Sequence, residues 1–198
     1  YQLQKEDINM PRVITGKYRG ANLFAPKGLS TRPTVDMVKG ALFSSIGYSI
    51  EDSSFLDLFS GTGQMGIEAL SRGASNVVLV EKGRNAIESI KRNLDKLRIT
   101  EEEGLKLMCV SSEKALDILG QDENVFDYIF LDPPYDIAHK QAMLTADKIN
   151  KYNLLSENGV MIVEHSSELP FNIDVINMQF ERSCSYGLAV ITFFRRNK

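Results

Sequence analysis

From Ser54 onward, short apolar runs alternate with stretches of helical periodicity, and no other feature of the chain restricts its fold as tightly. The spacing predicts strands at Ser54–Leu58, Asn76–Val80, Leu105–Val110, Tyr128–Leu131 and Val160–Glu164, with helices at Met65–Arg72, Arg84–Leu97, Glu113–Leu119 and Ile137–Lys148 between them. Runs such as Val77-Val78-Leu79-Val80 and Val160-Met161-Ile162-Val163 are apolar at every position, so strands made of them must be covered on both faces. Strand–helix alternation with doubly covered strands predicts a parallel, doubly wound sheet. The tail departs from this rhythm. Ile173–Met178 and Leu188–Phe194 have no helix between them, which predicts an antiparallel C-terminal hairpin closing the sheet.

Ahead of this core, Arg12–Thr15 and Asn22–Ala25 read as short strands around a Gly16–Gly20 turn, a hairpin-like arm. Pro26, Gly28 and Pro33 then break the chain before a helix over Thr34–Ile46. Met10 reads as a natural start, leaving residues 1–9 as an extension or tag, so the expected division is a basic arm and helix over 10–50 and a larger unit over 51–198. Hydrophobic residues at 43% and charged residues at 25% of 198 suit a domain with a substantial core. No apolar run approaches the roughly 20 residues of a membrane span. Cys109 and Cys184 lie in apolar, strand-like segments away from any metal-ligand spacing, and read as two buried thiols of a cytoplasmic protein. His139 and His165 stand alone, and no metal is expected.

The net charge of −3 speaks against a nucleic-acid partner, but its distribution reverses that. Between Met10 and Gly40, six basic residues (Arg12, Lys17, Arg19, Lys27, Arg32 and Lys39) face one acid, Asp36, and the remainder of the chain is acidic. A basic arm on an acidic body can address phosphates without the whole protein being basic. Arg12, Lys17, Arg19 and Arg32 are the candidates for RNA phosphate contacts.

Asp57-Leu58-Phe59-Ser60-Gly61-Thr62-Gly63-Gln64-Met65-Gly66 joins the first core strand to its helix. Glycines there let the backbone turn sharply and approach a ligand closely, at the mouth of the sheet where such folds bind cofactors. Glu81 ends the next strand, where a carboxylate can accept from both ribose hydroxyls. Gly61-x-Gly63-x-x-Gly66 also matches the dinucleotide fingerprint, and by itself does not separate a nicotinamide enzyme from a methyltransferase. Asp57 favours the second, because its carboxylate would repel a pyrophosphate and attract the ammonium and sulfonium of S-adenosylmethionine.

Asp132-Pro133-Pro134-Tyr135 directly follows the strand Tyr128–Leu131. Two prolines fix the backbone and remove two N–H donors, leaving an acceptor-only corner of the Asp132 carboxylate and the Pro133 carbonyl beside an aromatic face. An exocyclic amino nitrogen needs that combination. Its lone pair is delocalised into the ring, and two acceptors gripping its hydrogens would aim the lone pair at a methyl donor, so that positioning drives the transfer. Tyr135 can stack on a flipped base.

Together these segments resemble the RsmD-type 16S ribosomal RNA guanine-N2 methyltransferase family over nearly all of Met10–Lys198. The likeness is carried by Met10-Pro11-Arg12-Val13-Ile14-Thr15-Gly16-Lys17-Tyr18-Arg19-Gly20, Thr31-Arg32-Pro33-Thr34, Leu42-Phe43, the glycine loop, Glu68-Ala69-Leu70-Ser71-Arg72-Gly73-Ala74 and Asp132-Pro133-Pro134-Tyr135. The resemblance implies a Rossmann-like, seven-stranded class I methyltransferase sheet with a short N-terminal arm. It also implies transfer to the N2 amino group of one guanine in bacterial 16S rRNA, the guanine-966 type of reaction, with S-adenosylhomocysteine as product and 16S rRNA or a small-subunit assembly intermediate as partner. Asp57, Phe59, Ser60, Gly61, Thr62, Gly63, Glu81 and Lys82 would hold the cofactor, with Arg32 and Thr34 nearby. The family often places Asp or Asn near adenine after the third strand. This chain has Ser111-Ser112-Glu113 there, and Ser112 and Glu113 stand as the candidates. Three rival readings remain: an N6-adenine methyltransferase of DNA or RNA, a nicotinamide-dependent oxidoreductase and a catalytically silent RNA-binding assembly factor. A DNA enzyme would carry a target-recognition insert for which the chain has no room, and the oxidoreductase would make Asp57 a liability.

Overall fold

A computed structural model describes residues 10–25 and 33–197. Among these described residues, five α-helices and seven strands follow one another as α1 (Pro33–Ile46), β1 (Ser54–Asp57), α2 (Gln64–Ser71), β2 (Asn76–Val80), α3 (Arg84–Leu97), β3 (Leu105–Met108), α4 (Ser112–Gln121), β4 (Phe126–Leu131), α5 (Ala138–Tyr152), β5 (Leu155–Ser166), β6 (Gln179–Tyr186) and β7 (Ala189–Arg195). They form one sheet in the order β3-β2-β1-β4-β5-β7-β6. Pairs from β3 through β5 are parallel, and β7 is antiparallel to both neighbours. The fold is the expected Rossmann-like methyltransferase sheet. Its strand order reverses between β1 and β4, the point where open α/β sheets leave a crevice for ligands.

The doubly apolar strands divide their side chains between two cores. Phe55, Val77, Leu79, Phe130 and Ile162 pack with residues of α1, α2 and α3, including Leu42, Phe43, Ile67 and Ile90. Leu56, Val78, Val80, Ile129, Met161 and Val163 pack on the opposite face with Leu116 and Leu119 of α4 and Ala146 and Ile149 of α5. Each Val, Leu, Ile, Met or Phe among them contributes about 1.5–3 kcal/mol on burial. Among the described residues no helix is long and apolar enough to cross a membrane.

The arm is docked by polar contacts as well as by its buried Val13 and Leu23. Glu68 of α2, fully buried, accepts from the amides of Ile14 (2.7 Å) and Thr15 (3.0 Å) and from Arg72 Nε (2.7 Å). Ser71 Oγ donates to the Thr15 carbonyl and accepts from the Tyr18 amide. Gly16 sits against this turn with φ 86°, and a Cβ there would lie 1.7 Å from the Ser71 carbonyl oxygen. The fully buried Lys39 of α1 donates to the Arg12 carbonyl, and burial pulls its pKa down. Asn93 of α3, also fully buried, accepts from the Phe24 amide at 2.6 Å and donates to the carbonyls of Phe24 (3.1 Å) and Thr62 (2.9 Å).

Three expectations need correction. The arm is hairpin-like, but its two strands reduce to one antiparallel bridge, Arg12 with Asn22, because the amides of Ile14 and Thr15 go to Glu68 instead of across the turn. The first tail strand is not Ile173–Met178. That segment holds a 3-10 turn at Ile173–Val175 and buries Ile176 and Met178 in the core beneath α5, while β6 begins at Gln179. The thiols are not both buried: Cys109 is exposed and Cys184 half-buried. Cys109 follows the edge strand β3, and alternation turns Met108 inward and Cys109 out.

Candidate active site

The carboxyl ends of β2, β1, β4 and β5 bring four acids to one rim: Glu81, Asp57, Asp132 and Glu164. Asp57 is in register with Phe130, and Leu131 with Val163, so Asp132 and Glu164 stand side by side on neighbouring strands. Because side chains alternate with a period of two, Asp57, Asp132 and Glu164 project to the face that carries Phe55, Phe130 and Ile162.

Asp57 is 1% exposed, and neither carboxylate oxygen has a hydrogen-bond partner among the described residues. Burial raises its pKa to about 7. The nearby amides of Phe59 and Gly66 oppose this without reaching hydrogen-bonding geometry, and the Glu81 charge adds to it. An unpartnered buried carboxylate is costly to ionise and calls for a cation. Next to it, Ser60 pins the glycine loop to β2, since its backbone amide donates to the Val80 carbonyl and its Oγ accepts from the Val80 amide, both at 3.0 Å. Gly61 and Gly63 take φ 54° and 79°, in the left-handed region that favours glycine. A Cβ at Gly61 would meet nothing within 4 Å, so the loop presents bare backbone to open space.

Glu81 holds the loop from the other side. Its carboxylate accepts from the amides of Gly61 (2.9 Å), Lys82 (2.8 Å) and Gly83 (2.7 Å). It also lines a cavity of about 200 Å³ with Phe59, Lys82, Ser111, Ser112, Glu113, Ile137 and Gln141. Ser111 Oγ accepts from the Lys114 amide and so caps α4, whereas Ser112 Oγ donates to Gln141 Oε1 at 3.3 Å.

At the Asp132 corner, Pro133 is buried and Pro134 exposed. Asp132 is exposed. Its pKa is nonetheless held well above the usual carboxylate range, by desolvation of the carboxylate among its neighbours and by the charges of Glu164 and Asp57. Glu164 is half-buried, and burial raises its pKa too, opposed by a hydrogen bond from Tyr135 Oη at 3.2 Å.

The structure therefore brings together Asp57, Phe59, Ser60, Gly61, Thr62, Gly63, Glu81, Lys82, Ser112, Glu113 and the Asp132–Tyr135 corner around one crevice and its adjoining cavity. Arg12, Lys17 and Arg19 are exposed on the arm, where Arg12 pairs with Asp36 at 3.1 Å and Lys17 with Glu103 at 2.6 Å. Arg32 lies outside the described residues, and Thr34 falls in the first turn of α1. Sequence reasoning missed Glu164 and Gln141. An acid ending a core strand, as Asp57 and Glu81 do, was the available signal for Glu164. Among the described residues no group of three or more His, Cys, Asp or Glu side chains could hold a metal ion.

A family model described as conserved hypothetical protein 95 matches residues 11–195. A Bacillus subtilis protein provisionally named rRNA methyltransferase YlbH is 37% identical over 185 residues, 93% of this chain and 98% of that one. Ribosomal RNA small subunit methyltransferase D of Haemophilus influenzae is 34% identical over 163 residues, 80% of each chain. The solved structure of Escherichia coli yhhF, provisionally described as a methyltransferase, superposes with a TM-score of 0.78 at 25% identity, over 96% of this chain and 99% of that one.

Proposed function

The chain belongs to the conserved hypothetical protein 95 family, the RsmD-type rRNA methyltransferases, and from that premise we propose that it methylates the N2 amino group of one guanine in 16S rRNA. The observation that carries this reading is the acceptor-only Asp132–Tyr135 corner at the switch point, one strand away from a buried carboxylate with no hydrogen-bond partner among the described residues. S-adenosylmethionine supplies, when bound, a methyl group on a positively charged sulfur. The residues present fit it. Asp57 would face its ammonium, directly or through water, and Glu81 has lone pairs left for the ribose hydroxyls. The bare backbone at Gly61 gives room for the methionine part. The cavity of Phe59, Lys82, Ser112 and Glu113 suits adenine, and the family resemblance adds Arg32 and Thr34 to the cofactor contacts.

Asp132 and the Pro133 carbonyl would accept the two N2 hydrogens, with Pro134 keeping the corner rigid and Tyr135 stacking on the base. As N2 takes the methyl group and the sulfur leaves as S-adenosylhomocysteine, the methylated nitrogen gives up one proton, and the Asp132 carboxylate, with its raised pKa, is placed to receive it. Residues 51–198 are read as the methyltransferase domain. Residues 10–50 would present the RNA surface through Arg12, Lys17, Arg19 and Arg32, either to free 16S rRNA or to a small-subunit assembly intermediate.

Mapping methylated nucleotides in rRNA from cells lacking the gene tests the substrate: one small-subunit guanine should lose its N2 methyl group. Loss of an N6-methyladenine instead would replace the reading by its rival. Asp132→Asn nearly keeps the shape of the corner but puts an NH2 donor or a weaker acceptor against the amino group. Single-turnover transfer should fall roughly 10²-fold or more, with S-adenosylmethionine affinity little changed. Transfer at the wild-type rate would remove Asp132 from the mechanism.

A further inference from the structure

The Asp132 corner accounts for gripping an amino group, but an adenine N6 group would satisfy it as well as a guanine N2. Glu164 supplies what that corner lacks. It stands beside Asp132 because Leu131 and Val163 are in register, and it projects to the same face. It is half-buried, and Tyr135 Oη, on the residue expected to stack on the base, donates to its Oε1 at 3.2 Å.

We propose that Glu164 is the specificity-determining residue of this site, accepting the N1–H of the flipped guanine while Asp132 grips the neighbouring N2 amino group. The inference rests on the guanine-N2 reading above and deepens it. Guanine offers two adjacent donors along its Watson–Crick edge, N1–H and N2–H, and two carboxylates side by side are acceptors matched to that pair. Adenine offers N6–H next to the bare lone pair of N1, which would oppose a carboxylate lone pair in place of a hydrogen bond. Desolvation raises the pKa of both acids, and the Glu164 charge adds to that of Asp132, so both are costly to ionise without hydrogen-bond donors. The guanine edge provides them, and discrimination arises because the wrong base sets a lone pair against the Glu164 carboxylate where guanine sets an N–H.

The test uses 2-aminopurine, which keeps the exocyclic C2 amino group but carries a lone pair at N1. Single-turnover methyl transfer is measured on small-subunit rRNA reassembled with its proteins, with guanine or 2-aminopurine at the mapped position, for the wild type and for Glu164→Gln. Folding and cofactor binding are checked by the melting shift with S-adenosylhomocysteine. The wild type should transfer to 2-aminopurine about 10²-fold more slowly than to guanine. Glu164→Gln can donate its amide to the N1 lone pair, so the preference should shrink at least tenfold. Equal slowing on both bases by Glu164→Gln, or no preference in the wild type, overturns the role of Glu164 while leaving guanine-N2 transfer standing. Wild-type methyl recovered on an adenine N6 overturns both.

Discussion

Asp57 holds its proton far longer in the folded chain than out of it, with a pKa raised from 3.8 to about 7 by burial. Between those values the folded state keeps a proton that the unfolded state has lost, so stability falls as pH rises through that window and levels off above it. The shift corresponds to a penalty on the order of 4 kcal/mol in the ionised protein. Asp57→Asn should therefore melt above the wild type at pH 8, with the gap closing toward pH 5. It should also bind S-adenosylhomocysteine more weakly at pH 8, because the ammonium loses its counter-charge. Thermal melts across pH, with and without ligand, check both. Equal melting of the two proteins at pH 8 would show that Asp57 already has a partner. The wild type should bind the ligand more tightly as pH rises from 6 to 8, following ionisation of the same group.

The arm is an element held less by strand pairing than by one turn of α2. Gly16→Ala would force a methyl group into the Ser71 carbonyl at a left-handed φ, and the arm would have to lift away from Glu68 and Ser71. The expected result is a loss of about 2–3 kcal/mol and faster amide exchange at Ile14, Thr15 and Tyr18, with β4 and β5 unaffected. Protection of those three amides at the wild-type level would mean that the turn absorbs the methyl group. Such long-range docking explains what the sequence hid. The strands β2 and β5 were legible because burial on both faces demands unbroken apolar runs. The edge strand β6 pairs only with β7, so its sequence Gln179–Tyr186 alternates polar residues and shows no such run, while the more apolar Ile173–Met178 serves the core under α5. The Asp132 corner was legible because its parts are consecutive. Glu164 gains meaning only from the register of β5 against β4, and Glu68 only from amides more than fifty residues earlier.

Across the whole molecule, charge is neither evenly spread nor wholly available. Arg12 and Lys17 already have acidic neighbours, whereas Arg19 has no ion-pair partner among the described residues. On α3, Arg92 and Lys96 flank the Phe24 ring at 4.0 and 5.1 Å, extending the basic surface away from the arm. Replacing Arg12, Lys17 and Arg19 together by alanine should weaken RNA binding and flatten its salt dependence by about one unit per lost phosphate contact. Arg19→Ala should account for the largest single share, because it gives up no internal pair. Cofactor affinity measured alongside should hold, and unchanged RNA affinity would make the arm a solvated face. Asn93 adds a connection between these two surfaces, since one buried amide holds both the end of the arm at Phe24 and the glycine loop at Thr62. A grip of that kind predicts that the two ligands bind cooperatively. If S-adenosylhomocysteine tightens RNA binding by some factor, RNA must tighten S-adenosylhomocysteine by the same factor. That cooperativity should reach about fivefold or more in the wild type and decline toward one in Asn93→Ala, as titration of each ligand in the presence of the other would reveal. With that cooperativity, the methyl donor would be held most firmly when the strand to be modified is already in hand.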